Sequence, residues 1–368
     1  MSSFNNGLTP RRGFRFLLLR GPLAVGALEA LAIPAGALAV SMVLFGIFIA
    51  IVGSDPFEVY QSIYKGAFGS WFSWQNTLQR AAPLMLVALC TALPARLGMI
   101  VIGGEGALVI GAVATVAVGV ALGGAPQSVI TTGMLLAGAA AGGLWIGCVG
   151  VLRHYRGVNE TISSLLLNYI AIALMSHLVT GAMRDPKVLH RPSSWHVGEE
   201  NMIGLIPGMD VHWGLVMGVV ACVLTYVLMR HTGTGFAVDI IGGNLRAARM
   251  SGLSIGRLVV LVCFIGGAAA GLAGAVEIVA VHGRVSSSLV AGYGYTGILI
   301  AFIARQNPAA IIPVAILLGG IRASGGLLQR WHDLPDATVL VMQGTIFVVI
   351  LASEPFYGRL RAFQPRAQ

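Results

Sequence analysis

Charge is what this sequence has least of. Only 10% of its 368 residues are Asp, Glu, Lys or Arg, against about 25% in an ordinary soluble domain. So little charge cannot cover a water-facing surface, and a soluble globular class is excluded. Lysine is almost missing: of 23 basic residues only Lys65 and Lys187 are lysines. Neither lies in GxxxxGK[ST], so the chain has no phosphate-cradling loop and no ATPase site of its own. Cysteine is scarce as well. Cys90, Cys148, Cys222 and Cys263 fall in separate apolar runs without CxxC spacing or a histidine partner. A disulfide framework and a metal site are excluded, and the four are expected to be small buried hydrophobes.

What is abundant is apolar length. The composition is 56% hydrophobic with 50 glycines and a mean hydropathy of +0.84. Several stretches offer roughly 20 apolar residues, enough to cross a bilayer as a helix. The expected class is an all-α polytopic membrane protein. Clear spans are 31–53, 99–122, 129–152, 161–182, 211–229, 258–281, 309–328 and 337–353. Segments 81–95 and 292–304 are too short to cross upright and could be full spans or re-entrant. Counting both gives ten spans with the termini on one side. The N-terminal RRGFRFLLLR resembles the start of a signal peptide, but the apolar run after it is longer than a typical h-region, which favours a first membrane helix.

The net charge of +9 invites a nucleic-acid partner, yet the basic residues sit between spans. Ten spans put 15 of them on the side of the termini, including Arg96, Arg153, Arg156, Arg230, Arg246, Arg249, Arg257 and Arg305. Eight fall on the other, with Arg322 and Arg330 among them. The positive-inside rule then makes the first side cytoplasmic. Three regions result: a cytoplasmic N-terminal segment 1–30, a membrane domain 31–353 with a cytoplasmic loop 230–257, and a cytoplasmic tail 354–368. Short, Gly/Pro-interrupted spans early and late suggest an inverted repeat of spans 2–5 and 7–10 with a path between them.

Most motif matches dissolve on inspection. GYGYTG (Gly292–Gly297) fits GxGxxG but opens a membrane segment, so an unwound turn or close packing is expected rather than dinucleotide binding. GLSIG (Gly252–Gly256) fits a nucleophile elbow but follows a short helix and has no His/Asp partners. No catalytic residue is assigned; a hydrolase centred on Ser254 would be lost in Ser254→Ala. Asn159-Glu160-Thr161 is a glycosylation sequon on the cytoplasmic side. Gly138/Gly142, Gly143/Gly147 and Gly267/Gly271 allow close helix approach.

Polar groups at membrane depth are more informative. Glu105 in GGEG and Glu277 in span 7 either line a path or proton relay, or satisfy backbone N–H groups where glycines break a helix. Asn168, Tyr169, His177 and Gln343 have interhelical hydrogen bonds as their default explanation. A proton-coupled secondary transporter using Glu105 or Glu277 is the alternative function.

The remaining signal is GGNLRAARMSG, Gly242–Gly252. Asn244 is a good N-cap and Gly252 a good left-handed C-cap. Arg246 and Arg249 share one face, Leu245 and Ala248 another. A helix this short cannot stand alone in water. It either docks on a soluble partner or lies on anionic headgroups.

Four stretches carry a resemblance. IGGNLRAARMSGLSIGR resembles the coupling segment of permease subunits of ABC importers of the ribose and branched-chain amino acid group. LGMIVIGGEGALVIGA (97–112), GVNETISSLLLNYIA (157–171) and GYGYTGILIAFIARQNPAAIIPVAILLGG (292–320) are similar to the simple-sugar and nucleoside branch. The resemblance implies a pore of two permease subunits, as a homodimer or a related pair, in a bacterial inner membrane. It also implies two cytoplasmic ATPase subunits that hold ATP and Mg, and an extracytoplasmic binding protein that delivers nucleosides or simple sugars. Asn244, Leu245, Arg246, Ala248, Arg249 and Gly252 would couple to the ATPase, and Gly157, Asn159 and Glu160 would form a second contact. Glu105, Asn168, Tyr169 and Glu277 are the path candidates.

Overall fold

The computed structural model describes residues 23–188 and 191–356. The expected N-terminal segment and tail therefore lie largely outside the described residues, including Arg11, Arg12, Arg15, Arg20, Arg359, Arg361 and Arg366. Thirteen α-helices are present among the described residues, and no strand beyond isolated bridges. They are α1 (Leu23–Val52), α2 (Pro56–Phe68), α3 (Trp71–Ala95), α4 (Gly104–Ala121), α5 (Gln127–Arg156), α6 (Glu160–Thr180), α7 (Gly214–His231), α8 (Gly233–Gly243), α9 (Leu245–Met250), α10 (Ile255–Glu277), α11 (Tyr293–Ile303), α12 (Pro308–His332) and α13 (Ala337–Ser353). Eight are long and apolar enough to cross a membrane, and the regions of α11 and α13 are shorter apolar helices. The chain is a polytopic helical membrane protein.

The first membrane span, Ala32–Val52, stands where it is expected, at the end of a helix that starts at Leu23. Three expectations need correction. Segment 81–95 is the end of a 25-residue helix whose start, Trp71, is capped by Ser70. Its polar first half (WFSWQNTLQR) hid that length from a hydropathy pattern. The 13-residue α2 was not expected: Asp55 caps it through Phe57 N–H and Pro56 sits in its first turn. Cys148 is exposed, unlike the other three cysteines.

Segment 292–304 stays short. Helix α11 has 11 residues, about 16 Å of rise. A short 3-10 turn, Ser287–Leu289, and an irregular stretch precede it. The loop between α6 and α7 lies over that stretch: Ser194 N–H donates to Val285 O at 2.9 Å and Val197 N–H to Gly283 O at 2.9 Å.

The packing partners repeat between the two halves. α3 packs on α12 and α11 as α10 packs on α5 and α4, the pairing expected of a repeat of spans 2–5 and 7–10. In the second of these clusters glycine decides the distance. A Cβ at Gly142 would meet Gly267 O at 2.5 Å, and one at Gly271 would strike Gly138 O. The paired small residues let α5 and α10 touch backbone to backbone.

A midplane junction and an exposed coupling segment

Two interrupted helices meet near the middle of the bundle. After Arg96 the chain turns back as a non-helical stretch, and α4 starts only at Gly104. Asn168 holds this turn: its side chain accepts from Gly106 N–H at 2.6 Å and donates to Ile102 O at 3.0 Å. Asn168 lies eight residues into α6, about 12 Å along its axis. The second interruption is the start of α11, where Gly292 has φ +77. There is no room for a side chain at Gly294, whose Cβ would strike the backbone of Glu105.

Glu105 joins the two. It is fully buried and accepts from Gly292 N–H at 2.9 Å and from Gly294 N–H. Its carboxylate thus covers orphan donors at the N-terminus of α11, where the helix dipole favours negative charge. Arg322 of α12 completes the junction. Its guanidinium donates to Ala291 O at 2.6 Å and to Thr296 Oγ1 at 3.3 Å, and lies 4.6 Å from the Tyr293 ring centroid. Thr296 donates in turn to Gln343 at 3.0 Å. Arg322 is expected among the basic residues on the far side; it is instead part-buried within α12, held by the Ala291 carbonyl and the Thr296 hydroxyl.

Glu277 sits apart from Glu105. It is buried, and His282 lies 3.3 Å away across a π-helical turn, Ile278–His282, that ends α10. Asn168 and Gln343 make the interhelical bonds expected of them; Tyr169 and His177 do not, because both lie on the exposed side of α6. Tyr295 was missed by the sequence reading. It is the one exposed side chain of α11, at 48%.

At the arginine-rich end, Asn244 caps α9 by accepting from Arg246 N–H at 3.0 Å and Ala247 N–H at 3.1 Å. Gly252 adopts φ +72 and closes the segment. Ala248 is fully buried within the subunit, so it does not share an outward face with Leu245. The outward apolar groups are Leu245 at 45% and Met250 at 84% exposure, with Phe236 of α8 at 69%. Arg246 and Arg249 are exposed beside them. The segment is tied to the core through α8. Asp239 pairs with Arg96 at 3.2 Å, and Gly242 packs against the Arg96 carbonyl, where a Cβ could not fit. Burial raises the Asp239 carboxyl above the usual range, against the pull of Arg96 and Arg230.

Of the second expected contact, Gly157 and Asn159 are exposed and Glu160 is engaged within the chain. Gly157 ends α5 with φ +66, and Asn159 caps α6 through Thr161 and Ile162 N–H. Glu160 is 8% exposed and paired with Arg153 at 3.2 Å.

A family model described as the permease component of branched-chain amino acid transport systems matches residues 73–351. The chain belongs to that permease family. The permease is 33% identical over 367 residues to a glucose ABC transporter permease protein of Haloferax volcanii, covering 96% of this chain and 92% of the relative. A guanosine ABC transporter permease protein of Bacillus subtilis is 26% identical, with 89% and 95% covered. A nucleoside ABC transporter permease protein of Lactococcus lactis is 24% identical, with 86% and 90% covered. The match runs from α3 to α13, so both interrupted helices lie inside the family's region. The protein is an ABC transporter permease subunit, and neither the family match nor these relatives supports the proton-coupled alternative.

Proposed function

We propose that this permease forms the membrane path of an ATP-driven importer for nucleosides or related simple sugars. The observation that carries the proposal is the capped, exposed α9. It presents Leu245, Met250, Arg246 and Arg249 outward with no covering element among the described residues. Six residues of helix do not persist unless both ends are held, and here the cap and the Arg96–Asp239 tie hold them. An apolar pair flanked by two cations fits a groove on a soluble ATPase subunit. That subunit would bind ATP and Mg, since this chain has no phosphate-cradling loop. A displacement of α9 would pass through α8 and Arg96 to the turn at Gly103–Gly106, and from there through Glu105 to α11.

In this scheme the arginine-rich end faces the cytoplasm, a second permease subunit completes the path, and an extracytoplasmic binding protein supplies the solute. The substrate class rests on the relatives that carry glucose, guanosine and nucleosides in their names. Co-purification from native membranes in mild detergent tests the coupling role. An ATPase subunit should accompany the wild type and be lost from Arg246→Glu/Arg249→Glu while thermal unfolding of the permease stays unchanged. Wild-type permease that purifies folded but without an ATPase would remove the main support.

A further inference from the structure

We propose that the loop between α6 and α7 and the turn between α4 and α5 form an extracytoplasmic site for a neutral sugar ring. The ring is that of a free sugar or the ribosyl group of a nucleoside. The inference rests on the importer proposed above and names where its solute is first received.

A cavity of about 480 Å³ lies between these two segments, within the roughly 300–1,000 Å³ of small-molecule sites. One wall is the end of α4 and the turn after it, where Gly119, Gly123 and Gly124 carry no side chain into the space. Trp195, His196, Glu200 and Asn201 form the facing wall, and Gln127 of α5 stands beside them. Gln127 opens the 30-residue α5. At the other end of that helix His154 packs on Gly256, at the start of α10. The cavity is therefore about 40 Å along α5 from the end that carries α9. In the importer that is the side on which solute arrives.

The loop wall is fixed. Val197 N–H donates to Gly283 O at 2.9 Å and Ile203 N–H to Val279 O at 2.8 Å. Thr131 of α5 donates to Asn201 O at 3.2 Å, and Asn201 Nδ2 to Val197 O at 2.8 Å. Gly198 turns the chain with φ +92, and a Cβ there would strike the Glu200 carboxylate. A wall held in this way loses little ordering entropy when a ligand enters.

The free groups select the ligand. Trp195 is 41% exposed and offers the face of an indole. Neither its ring N–H nor the Gln127 amide has a partner among the described residues. Asn201 is 6% exposed, and its Oδ1 has no partner either. Glu200 lies 3.5 Å from the Asn201 amide through one oxygen and keeps the other free. Hydroxyls bond to such carboxylate and amide groups, while the C–H face of a sugar packs on an aromatic ring. No Lys or Arg lines the cavity, so a sugar phosphate or a lipid phosphate would meet Glu200 without a counter-charge. A neutral polyol suits the set.

The test is ATP-dependent uptake of glucose and of guanosine by the complete transporter in proteoliposomes, with binding protein raised to saturation. Trp195→Ala and Glu200→Gln should each lower the maximal rate on the order of ten-fold, the scale of one aromatic face or one charged hydrogen bond. Trp195→Phe keeps an aromatic face and should stay within about three-fold. Both side chains are exposed, so thermal unfolding should match the wild type. Loss of glucose uptake would identify a free sugar as the ligand, and loss confined to guanosine would identify the ribosyl group. A loss that more binding protein restores would make the cavity a protein-docking contact and overturn the proposal. Unchanged maximal rates in both variants would overturn it as well and leave the importer standing. Wild type that takes up neither solute, with an ATPase bound, would remove the substrate class and the site together.

Discussion

Two helix starts in this permease are capped in the same way, and they differ in where the cap comes from. Asn244 accepts two N–H groups within three residues of itself. Glu105 accepts two from Gly292 and Gly294, nearly 190 residues along the chain. The Asn244 cap stands at the surface and shapes a segment whose outward face has no cover among the described residues. The Glu105 cap is fully buried and closes on groups within the chain. One site is therefore suited to receive a partner and the other to transmit a movement, because only a rigid, internally satisfied junction passes displacement from one helix to the next.

The comparison predicts unequal costs. Glu105→Ala should be the most damaging change, at about 3–5 kcal/mol, because it orphans two buried N–H groups and leaves Arg322 beside no counter-charge. Thermal unfolding in detergent measures it. Adding Arg322→Met should return part of the loss, whereas simple additivity of the two would mean that they do not act through one junction. Asn244→Ala should cost about 1 kcal/mol and only locally. Amide exchange over 245–250 should accelerate and ATPase co-purification weaken while global unfolding stays in place. A global loss as large as that of Glu105→Ala would erase the distinction between the two caps.

The smallest effect is expected at Asp239. Its carboxyl is raised by burial, so the folded state favours the protonated form. The stability this group contributes is present at low pH and is lost as pH rises through its folded pKa. Asp239→Asn should flatten that loss by under about 1 kcal/mol, since the Asp239 side chain is itself about half in water. Unfolding temperatures of the two proteins, compared across the carboxylate range, check the sign. A wild type that gains on the variant as pH rises would contradict it.

Much of the fold was legible because membrane helices are written locally. Ten apolar runs, the paired glycines of α5 and α10, and the Asn244–Gly252 caps each depend on neighbours in sequence. Helix α2 and the first half of α3 were not legible, since they bury polar residues such as Ser62, Ser73, Gln75 and Thr77 and their patterns read as loop. At the site, Glu105 and Asn168 stood out as polar groups in apolar surroundings. Tyr295 did not, because a tyrosine in GYGYTG carries no sign that the neighbouring helices will bury Tyr293 and Thr296 to Ala301 around it.

The amino-acid sequence by itself determined the class of the protein, its long apolar helices and the short capped helix between α8 and α10. Hydrophobic length, charge placement and capping act over a few residues and need no partner. The tertiary structure alone decided that Glu105 serves the start of α11 and that Arg322 is held within α12 by the Ala291 carbonyl. Those outcomes depend on the two halves meeting in the packed bundle, and no local pattern encodes the meeting point of segments nearly 190 residues apart.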